Sequence, residues 1–292
     1  MNGQKIIVGL GEILWDVFPD GPRFGGAPAN FACHAAALGG TSAMVSAVGP
    51  DDLGMKALAA LAEKNVDTKH VLRSTFPTGV VNVQLDAVGK ASYEFAANTA
   101  WDHLEWSQEL QGFAGQTTAV CFGTLGQRSE LSRKTIQRFV SETPAEAFRI
   151  FDINLRPPFY TEEIILESLE LANVLKLNDE ELPLLAKLCG FSGSNSELMQ
   201  QISQRFSLKL VALTCGNEGA ILCQGDEVNQ CPGVPTTVKD TVGAGDSFTA
   251  ALALGLLKNQ PLDVINRHAC QVAAYVCSQP GGTPPIPNEL KM

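Results

Sequence analysis

The sequence predicts an α/β fold in which helices cover both faces of a mostly parallel β-sheet. Short apolar runs alternate with helical patterns along most of the chain, as they do in folds built from βα units. One stretch, residues 78–97, breaks this alternation and has the pattern of a half-exposed hairpin. Together these observations predict a single domain over residues 1–292, with a small β-sheet that stands off the main one.

The first part of the chain shows the alternation clearly. KIIVGLG (5–11) predicts a buried strand, and PANFACHAAALGG (28–40) predicts a helix with Pro28 in its first turn and two glycines at its end. TSAMVSAVG (41–49) then predicts a second strand, and DLGMKALAALAEKN (52–65) a second helix.

Later runs predict further buried parallel strands, each followed by a helical pattern: TTAVCFG (117–123), RIFDIN (149–154), NVLKLN (173–178) and KLVALTCG (209–216). Apolar and polar residues instead alternate in TGVVNVQLDA (78–87) and ASYEFAA (91–97), on either side of a turn at Val88-Gly89-Lys90. With the non-helical EILWDVFPDG, they predict a small sheet built from segments near 12–24 and 76–97. We expect this sheet to be a lid or an interface, with Thr78-Gly79 as a hinge.

Composition excludes several classes of function. The net charge is −10 and no basic block occurs, which argues against nucleic acid and anionic membranes as partners. No run approaches the ~18 apolar residues of a membrane helix, and the N-terminus does not have the pattern of a signal peptide. The eight cysteines include no C-x-x-C pair, so we expect reduced thiols in a cytoplasmic protein. The four histidines show no metal-ligand spacing.

The segment DTVGAGDSF (240–248) has two aspartates around a turn of small residues, followed by an apolar helical run. Unpaired amides at a helix N-terminus bind anions, and small residues let an anion approach them. A carboxylate at Asp246 would repel a bound anion. The conflict disappears if Asp246 removes a proton from a nucleophile while the turn stabilises a phosphoryl group. A simple helix cap is the alternative reading of Asp246.

Three other segments place small or polar residues where strands end or helices begin. RFGGAPANF (23–31) is a second glycine-rich turn before a helix, and its Asn30 could hydrogen-bond a polyol. KLNDEEL (176–182) and TCGNEGA (214–220) follow predicted strands. Each segment alone is compatible with ordinary loop chemistry.

Taken together, these motifs resemble a known family. GGAPAN and DTVGAGDSF are similar to the two signatures of the PfkB/ribokinase family of carbohydrate kinases, in the same order and with similar spacing. The N-x-x-E and T-x-G-x-x-G patterns between them are also family-like, so the resemblance covers nearly the whole chain. GEILWDVFPDG, FDINLRPPF and FGTLGQR look most like the fructokinase branch. The resemblance implies a ribokinase-like fold.

The resemblance also implies roles for individual residues. It makes Asp246 the base that deprotonates the sugar hydroxyl, and it gives Arg156 a place facing the sugar or the phosphate. The expected anion hole is formed by the backbone of Gly243, Ala244 and Gly245. The expected sugar ligands are Asp16, Gly25, Gly26 and Asn30. The expected site for ATP and Mg²⁺ comprises Asn178, Glu181 (acting on Mg²⁺ through water), Thr214, Gly216 and Gly219.

Many members of the family bind a monovalent cation behind the anion hole. The resemblance places a K⁺ site at Asp240, Val242, Val276, Gln279 and Gly281. Relatives often carry a small hydroxyl residue late in this loop. This chain has Pro285 there, which offers only a backbone carbonyl.

The predicted function is ATP-dependent phosphorylation of a sugar, with fructose converted to fructose 6-phosphate. A 2-keto-3-deoxygluconate kinase, a nucleoside kinase and a non-catalytic sugar sensor are the alternatives. Only Arg23, Arg73 and Lys90 are cationic in the lid region, which favours a neutral sugar. No Walker A loop occurs, and Leu14 breaks a dinucleotide-binding fingerprint. A homodimer through the lid is a further expectation.

Overall fold

The computed structural model describes residues 5–85 and 91–292. Its strands are β1 (Ile6–Leu10), β2 (Leu14–Phe18), β3 (Gly21–Gly25), β4 (Thr41–Val48), β5 (Val66–Asp67), β6 (Val71–Arg73), β7 (Gly79–Leu85), β8 (Ala91–Phe95), β9 (Thr117–Phe122), β10 (Phe148–Asp152), β11 (Val174–Asn178), β12 (Leu210–Thr214), β13 (Gly219–Gln224) and β14 (Glu227–Pro232). Its α-helices are α1 (Ala27–Ala37), α2 (Asp52–Glu63), α3 (Gln108–Ala114), α4 (Glu130–Ser141), α5 (Glu162–Leu171), α6 (Glu181–Cys189), α7 (Asn195–Arg205), α8 (Ala244–Leu257) and α9 (Leu262–Cys277).

The main sheet confirms the predicted architecture. Its strand order is β14-β13-β12-β11-β10-β9-β1-β4-β5, and β6 pairs with the carboxyl end of β4. All pairings from β12 to β5 are parallel. Since parallel strands end at the same edge, the loops after β1, β9, β10, β11 and β12 come together there, where ligands bind in open sheets of this kind.

One expectation for this sheet is wrong. No helix follows β12; the chain instead turns through a short 3₁₀ segment, Gly216–Glu218, into the antiparallel strand β13. Gly216 and Gly219 have φ angles of 52° and 101°, which glycine adopts without strain. The two glycines therefore reverse the chain at the edge of the sheet, and β14 extends that antiparallel edge.

The helices divide between the two faces of the sheet. Successive residues of β1 point to opposite sides, so Ile7 packs with Phe31 of α1 and Phe248 of α8, whereas Val8 packs with Phe139 of α4. Helix α9 joins the first face, and α3 and α5 to α7 join the second. Each fully buried phenylalanine contributes about 1.5–3 kcal/mol of transfer free energy. This packing holds the sheet edge that carries the candidate site.

A second sheet has the order β3-β2-β7-β8 and comes from the two segments expected to form the lid. β2 pairs antiparallel with β3 and parallel with β7, and β7 pairs antiparallel with β8. The turn predicted at Val88-Gly89-Lys90 lies outside the described residues. Trp15 of β2 is buried in the same cluster as Ala29 of α1, and its indole donates to the carbonyl of Leu53 at 3.1 Å.

At Thr78-Gly79, the expected hinge, the chain is hydrogen-bonded to the main domain. The Thr78 amide and hydroxyl donate to Asp51 at 2.8 and 2.7 Å, and the hydroxyl accepts from the Gly49 amide at 2.9 Å. Asp51 also caps α2 through the Gly54 amide. A side chain at Gly79 would collide with the indole of Trp101. The start of β7 is thus fixed to the main domain.

Arg128 fixes the other end of the hairpin. Its guanidinium donates to both carboxylate oxygens of Asp102, at 2.7 and 2.6 Å, and to the carbonyl of Ala96 at 2.6 Å. It also lies 3.9 Å from the centroid of the Trp101 ring. Both charged side chains are buried, and a bidentate pair in such surroundings imposes a definite geometry. We name Arg128, Asp102 and Trp101 the lid clamp.

Two further expectations concern the whole chain. Within the part that the structure describes, no helix has both the length and the apolar character needed to cross a membrane. All eight cysteines carry free thiols, and half of them are buried: Cys33, Cys121, Cys223 and Cys270.

Candidate active site

Asp246 lies in the first turn of α8, at the edge where the strands end. Gly243 occupies the N-cap position of this helix and no side chain caps it, so the geometry does not support a capping role for Asp246. Its Oδ2 atom instead accepts a hydrogen bond of 2.9 Å from the amide of Asn30 on α1. The two glycine-rich segments, more than 200 positions apart in the sequence, therefore meet at one point.

The surroundings of Asp246 make it a weak acid. Burial, together with the negative charge of Asp152, raises its pKa to about 7. The hydrogen bond from Asn30 and the positive charges of Lys176 and Arg156 act in the opposite direction. A carboxyl that ionises near neutral pH is suited to accept a proton during a reaction.

A buried ion pair, which the sequence did not predict, lies below the glycine turn. Lys176 Nζ lies 3.1 Å from Asp152 Oδ1, and Thr249 donates to Asp152 Oδ2 at 3.0 Å. A Cβ atom on Gly245 would stand 3.0 Å from Lys176 Nζ, so the ammonium lies directly against the turn. Asp152 ends β10 and lies opposite Lys176 in the middle of β11, and no short motif in the sequence marks either residue.

The turn also fits tightly against the chain's C-terminal loop. Gly243 has a φ of 76°, and any Cβ there would overlap the carbonyl oxygen of Gly282. The Gly282 carbonyl also lies 2.9 Å from His34 Nε2 on α1. Burial lowers the pKa of His34 to about 4, so the ring is neutral and donates through Nε2. Glycine at 243 is therefore required by both conformation and space.

The expected sugar residues lie where the lid meets α1. Asp16 lies on β2, and a Cβ on Gly25 would come within 2.8 Å of its Oδ2 atom. Burial raises the pKa of Asp16, while the charges of Arg156 and Arg23 lower it. Gly26 forms the N-cap of α1, which carries Asn30. Phe24 packs edge-on against the Trp15 ring, 5.6 Å away, so both rings contribute to lid packing.

Arg156 is exposed after β10, where the residue at 154 has a positive φ of 39°. Its positive charge lowers the pKa of Asp16, Asp246 and Glu12 alike. Glu12 had no predicted role, although its pKa is raised to about 7 and its side chain is only 3% exposed. A charged residue inside an apolar segment was the one signal that could have identified it.

The expected nucleotide residues lie at the ends of β11 and β12. The two carboxylate oxygens of Glu181 accept from the amides of Leu155 and Asn178, each at 2.9 Å. Asn178 Oδ1 in turn accepts from the Glu181 amide at 2.9 Å. Thr214 ends β12 next to Asn178, and Gly216 and Gly219 form the turn that follows. In the described residues, no group of three His, Cys, Asp or Glu side chains could hold a metal ion.

The expected cation loop is closed by Asp240. Its Oδ1 atom accepts from the Val242 amide at 3.0 Å, and its Oδ2 atom accepts from the Gly281 amide at 3.1 Å. Val276 is buried near the end of α9, and Gln279 follows that helix. The carbonyl of Pro285 accepts from the Tyr275 hydroxyl at 3.0 Å. Hydrogen bonds therefore bring three of the predicted cation residues together: Asp240, Val242 and Gly281.

Beside this loop lies an open cleft of about 680 Å³, lined by Pro235, Thr236, Thr237, Lys239, Ser278 and Gln279. Val238, in the same segment, is 58% exposed. The sequence alone predicts no role for this segment. Its signal was weak, since exposed valines in a proline-containing loop have many explanations.

Comparison with known proteins identifies the family. The model of the pfkB family carbohydrate kinases matches residues 21–289. A fructokinase from Salmonella typhimurium is 30% identical over 285 residues, covering 92% of this chain and 90% of its own length. A fructokinase from Klebsiella pneumoniae is 32% identical over 271 residues, covering 88% and 85%.

A solved structure agrees with this assignment. An uncharacterized sugar kinase from Pyrococcus horikoshii in complex with ATP is similar, with a TM-score of 0.80 and 28% identity, covering 95% of this chain and 94% of that one. The match spans the main sheet and the lid, so the ribokinase-like fold expected from the motifs is confirmed. By its family match, its relatives and its fold, the chain belongs to the pfkB family of carbohydrate kinases.

Proposed function

We propose that this chain transfers the γ-phosphoryl group of ATP to a hydroxyl of fructose, giving fructose 6-phosphate. The observation that carries the proposal is the meeting of Asp246 with Asn30 at the end of the glycine turn. Similarity to fructokinases supports fructose as the sugar, and an ATP complex of a related sugar kinase supports ATP as the donor.

In the proposed reaction, Asp246 accepts the proton of the sugar hydroxyl. The hydroxyl oxygen forms a bond to the γ-phosphorus, and the bond from that phosphorus to the β–γ bridging oxygen breaks, leaving ADP. Asn30 orients the Asp246 carboxyl through the 2.9 Å hydrogen bond. A base with a pKa of about 7 is ionised in a large fraction of molecules at neutral pH.

The amides of Gly243, Ala244 and Gly245 form the proposed anion hole at the N-terminus of α8. Lys176 adds a fixed positive charge beneath Gly245. Because Asp152 balances that charge, the protein itself holds the ammonium in place. Preorganised groups of this kind stabilise charge that develops during transfer, without reorganising at that moment.

The proposed sugar site lies between the lid and α1. Asp16 and Asn30 offer oxygen acceptors for sugar hydroxyls, and Gly25 and Gly26 leave space beside them. Arg156 stands at the opening of this site, where it faces the sugar or the transferred phosphoryl group.

The proposed nucleotide site runs from Asn178, Glu181 and Thr214 to the turn at Gly216 and Gly219. The open cleft beside Thr236 and Gln279 supplies a place for the adenine ring of ATP. Mg²⁺ would neutralise phosphate charge when bound, and Glu181 would hold it through water, since its oxygens already accept two amides.

A monovalent cation is part of the proposal. Asp240 draws the Val242 and Gly281 segments together, and K⁺ would reinforce this arrangement through backbone carbonyls, including those of Val276 and Gln279. We also propose that the outer face of the lid joins two subunits; Tyr93 of β8 is 60% exposed there. Sedimentation of the purified protein tests the dimer.

The charge around the sugar site favours a neutral substrate over 2-keto-3-deoxygluconate. Arg156 acts on three carboxyls, those of Glu12, Asp16 and Asp246, so its charge is already opposed. Arg23 pairs with Asp20 at 2.9 Å. A carboxylated sugar would need a cation that is not already balanced.

An ATP-coupled assay with a panel of sugars tests the proposal. The panel contains fructose, glucose, ribose, 2-keto-3-deoxygluconate and a nucleoside, each with Asp246→Asn as the matched control. Phosphorylation of fructose with the highest kcat/KM supports the assignment. A higher kcat/KM for the carboxylated sugar or the nucleoside replaces it with that kinase. Binding of sugar without phosphorylation of any substrate makes the protein a sugar sensor.

A further inference from the structure

The loop at residues 281–283 is held by two side chains from the first third of the chain. His34 of α1 donates from Nε2 to the carbonyl of Gly282 at 2.9 Å. Lys64, at the C-cap of α2, donates from Nζ to the carbonyl of the next residue, Thr283, at 2.6 Å. Two consecutive carbonyls of a segment without helix or strand are therefore fixed from the main domain. We name residues 281–283 the anchored loop.

The anchored loop lies directly against the glycine turn before α8. The carbonyl oxygen of Gly282 occupies the place where a side chain of Gly243 would stand. A Cβ atom on Gly282 would in turn come within 2.9 Å of the Val242 side chain. Gly243 is the N-cap of α8, and its amide and the two that follow form the proposed anion hole. Because the two backbones are in contact, a shift of the loop removes the support of the turn.

One face of α1 contacts both the proposed base and the anchored loop. Asn30 and His34 are four positions apart in this helix, so their side chains lie on the same face, one turn from each other. Asn30 donates to Asp246 at 2.9 Å, and His34 donates to Gly282 at the same distance. A Cβ atom on Gly282 would stand 3.6 Å from the Asn30 amide nitrogen. Helix α1 therefore sets the position of the carboxyl relative to the loop.

The surroundings of His34 suit it to hold a backbone group and not to exchange protons. Its side chain is fully enclosed, and burial lowers its pKa to about 4. The bond to Gly282 raises this pKa, and the positive charge of Lys64 lowers it. The ring is therefore neutral at physiological pH, and its Nε2–H remains a donor throughout that range.

We propose that His34 and Lys64 are positioning residues for phosphoryl transfer. By holding the carbonyls of Gly282 and Thr283, they fix the turn at Gly243 and keep its amides directed at the phosphoryl group. These roles rest on the proposed function, in which those amides form the anion hole. Both residues act through the anchored loop, since its carbonyls engage their donor atoms. Groups of this kind matter because a misplacement of about 1 Å can cost ~10²-fold in rate.

The first test is steady-state kinetics of His34→Leu, which removes the donor and keeps an apolar side chain in the buried position. We expect kcat to fall by about 10- to 100-fold, with KM values for sugar and ATP close to those of the wild type. His34→Gln, whose amide nitrogen can reach the same carbonyl, should regain most of the lost kcat. A wild-type kcat in His34→Leu, or equal losses of kcat in the two variants, overturns the proposal.

The chain offers a matched control. His268 of α9 also donates from Nε2 to a backbone carbonyl at 2.9 Å, that of Leu290 in the C-terminal tail. His268→Leu removes the same kind of bond at a place away from the glycine turn. It should lower stability and leave kcat unchanged, which separates positioning from a general loss of stability.

The second test, hydrogen exchange followed by mass spectrometry, needs no turnover. In His34→Leu, amides of residues 278–285 should exchange faster by about two- to tenfold, the effect of one lost hydrogen bond. Amides of residues 240–247 should also exchange faster, although His34 makes its bond to Gly282. His268→Leu should leave both segments unchanged. Faster exchange confined to residues 278–285 overturns the proposal.

The two tests distinguish failure of the positioning roles from failure of the proposed function. A wild-type protein that phosphorylates no substrate refutes the proposed function, and hydrogen exchange still decides whether the loop holds the turn. Should His34→Leu fail to fold, Lys64→Met carries both measurements, because it releases the neighbouring carbonyl of Thr283. A lower kcat at unchanged KM, with faster exchange in residues 240–247, supports the proposal. Wild-type kcat and exchange in Lys64→Met overturn it.

Discussion

Replacing Asp246 by asparagine should remove activity and increase stability at the same time. The side chain keeps its shape, and Gly243 rather than Asp246 occupies the N-cap of α8, so the helix should be retained. Loss of a general base typically lowers the rate by ~10²–10⁴. We therefore expect kcat to fall by at least about 100-fold, with sugar and ATP dissociation constants close to those of the wild type.

The stability effect follows from the raised pKa. The Asp246 carboxyl titrates at about 7 in the folded protein, against 3.8 for an ordinary aspartate. The folded state thus binds more protons than the unfolded chain between these values. Stability from this group is present in full below pH 3.8 and is lost as pH rises to about 7. At about 1.36 kcal/mol per unit, the loss approaches ~4 kcal/mol, and asparagine does not suffer it.

The assay is denaturant unfolding of wild type and Asp246→Asn at pH 5 and pH 8, together with calorimetric binding of sugar and nucleotide. Asp226→Asn, at the exposed turn between β13 and β14, controls for the loss of a surface charge. A variant whose stability relative to wild type is the same at both pH values would refute the burial argument. Turnover within about threefold of wild type would refute the role of Asp246 as base.

Three further predictions concern the anion hole, the lid clamp and the cation loop. Gly243→Ala should lower kcat by ~10²–10³, the cost of one lost anion-hole donor, because the new Cβ would displace Gly282. Steady-state kinetics together with sugar-binding measurements check this prediction, and a wild-type rate contradicts it. Arg128→Lys should raise the sugar KM and lower kcat, because lysine cannot make the bidentate pair with Asp102. The amount of ATP hydrolysed per sugar phosphorylated should also increase. An unchanged ratio of ATP hydrolysed to sugar phosphorylated would mean that the lid clamp has no part in lid closure. At constant ionic strength and with Mg²⁺ present, K⁺ should activate more than Na⁺, and equal rates in tetramethylammonium would exclude a cation at Asp240.

The motifs that could be predicted are the ones with local signatures. A segment of about ten residues is enough to recognise each of three features: the turn before α8, the turn before α1 and the alternating strands of the lid. The ion pair of Lys176 with Asp152 could not be predicted, because each residue lies in a strand whose apolar pattern indicates only a buried core position. Their contact depends on the pairing of β10 with β11, which no short segment specifies.

The one incorrect expectation for the main sheet has a similar origin. The expected helix after β12 is absent because two glycines with positive φ reverse the chain. At Thr78-Gly79, Asp51 and Trp101 approach from elsewhere in the chain, so composition alone could not predict these contacts. Backbone conformation and tertiary contacts are the parts of the structure that local composition does not specify.

The parallel pairing of β2 with β7 has a consequence for how the protein forms. These strands are more than 60 residues apart, and α1, β4 and α2 lie between them in the chain. Closing so long a loop costs conformational entropy, which contacts in the intervening core offset. We therefore expect the β2–β3 hairpin to pair with β7 only after that core has formed. We also expect the small sheet to form late in folding and not to fold as an independent unit.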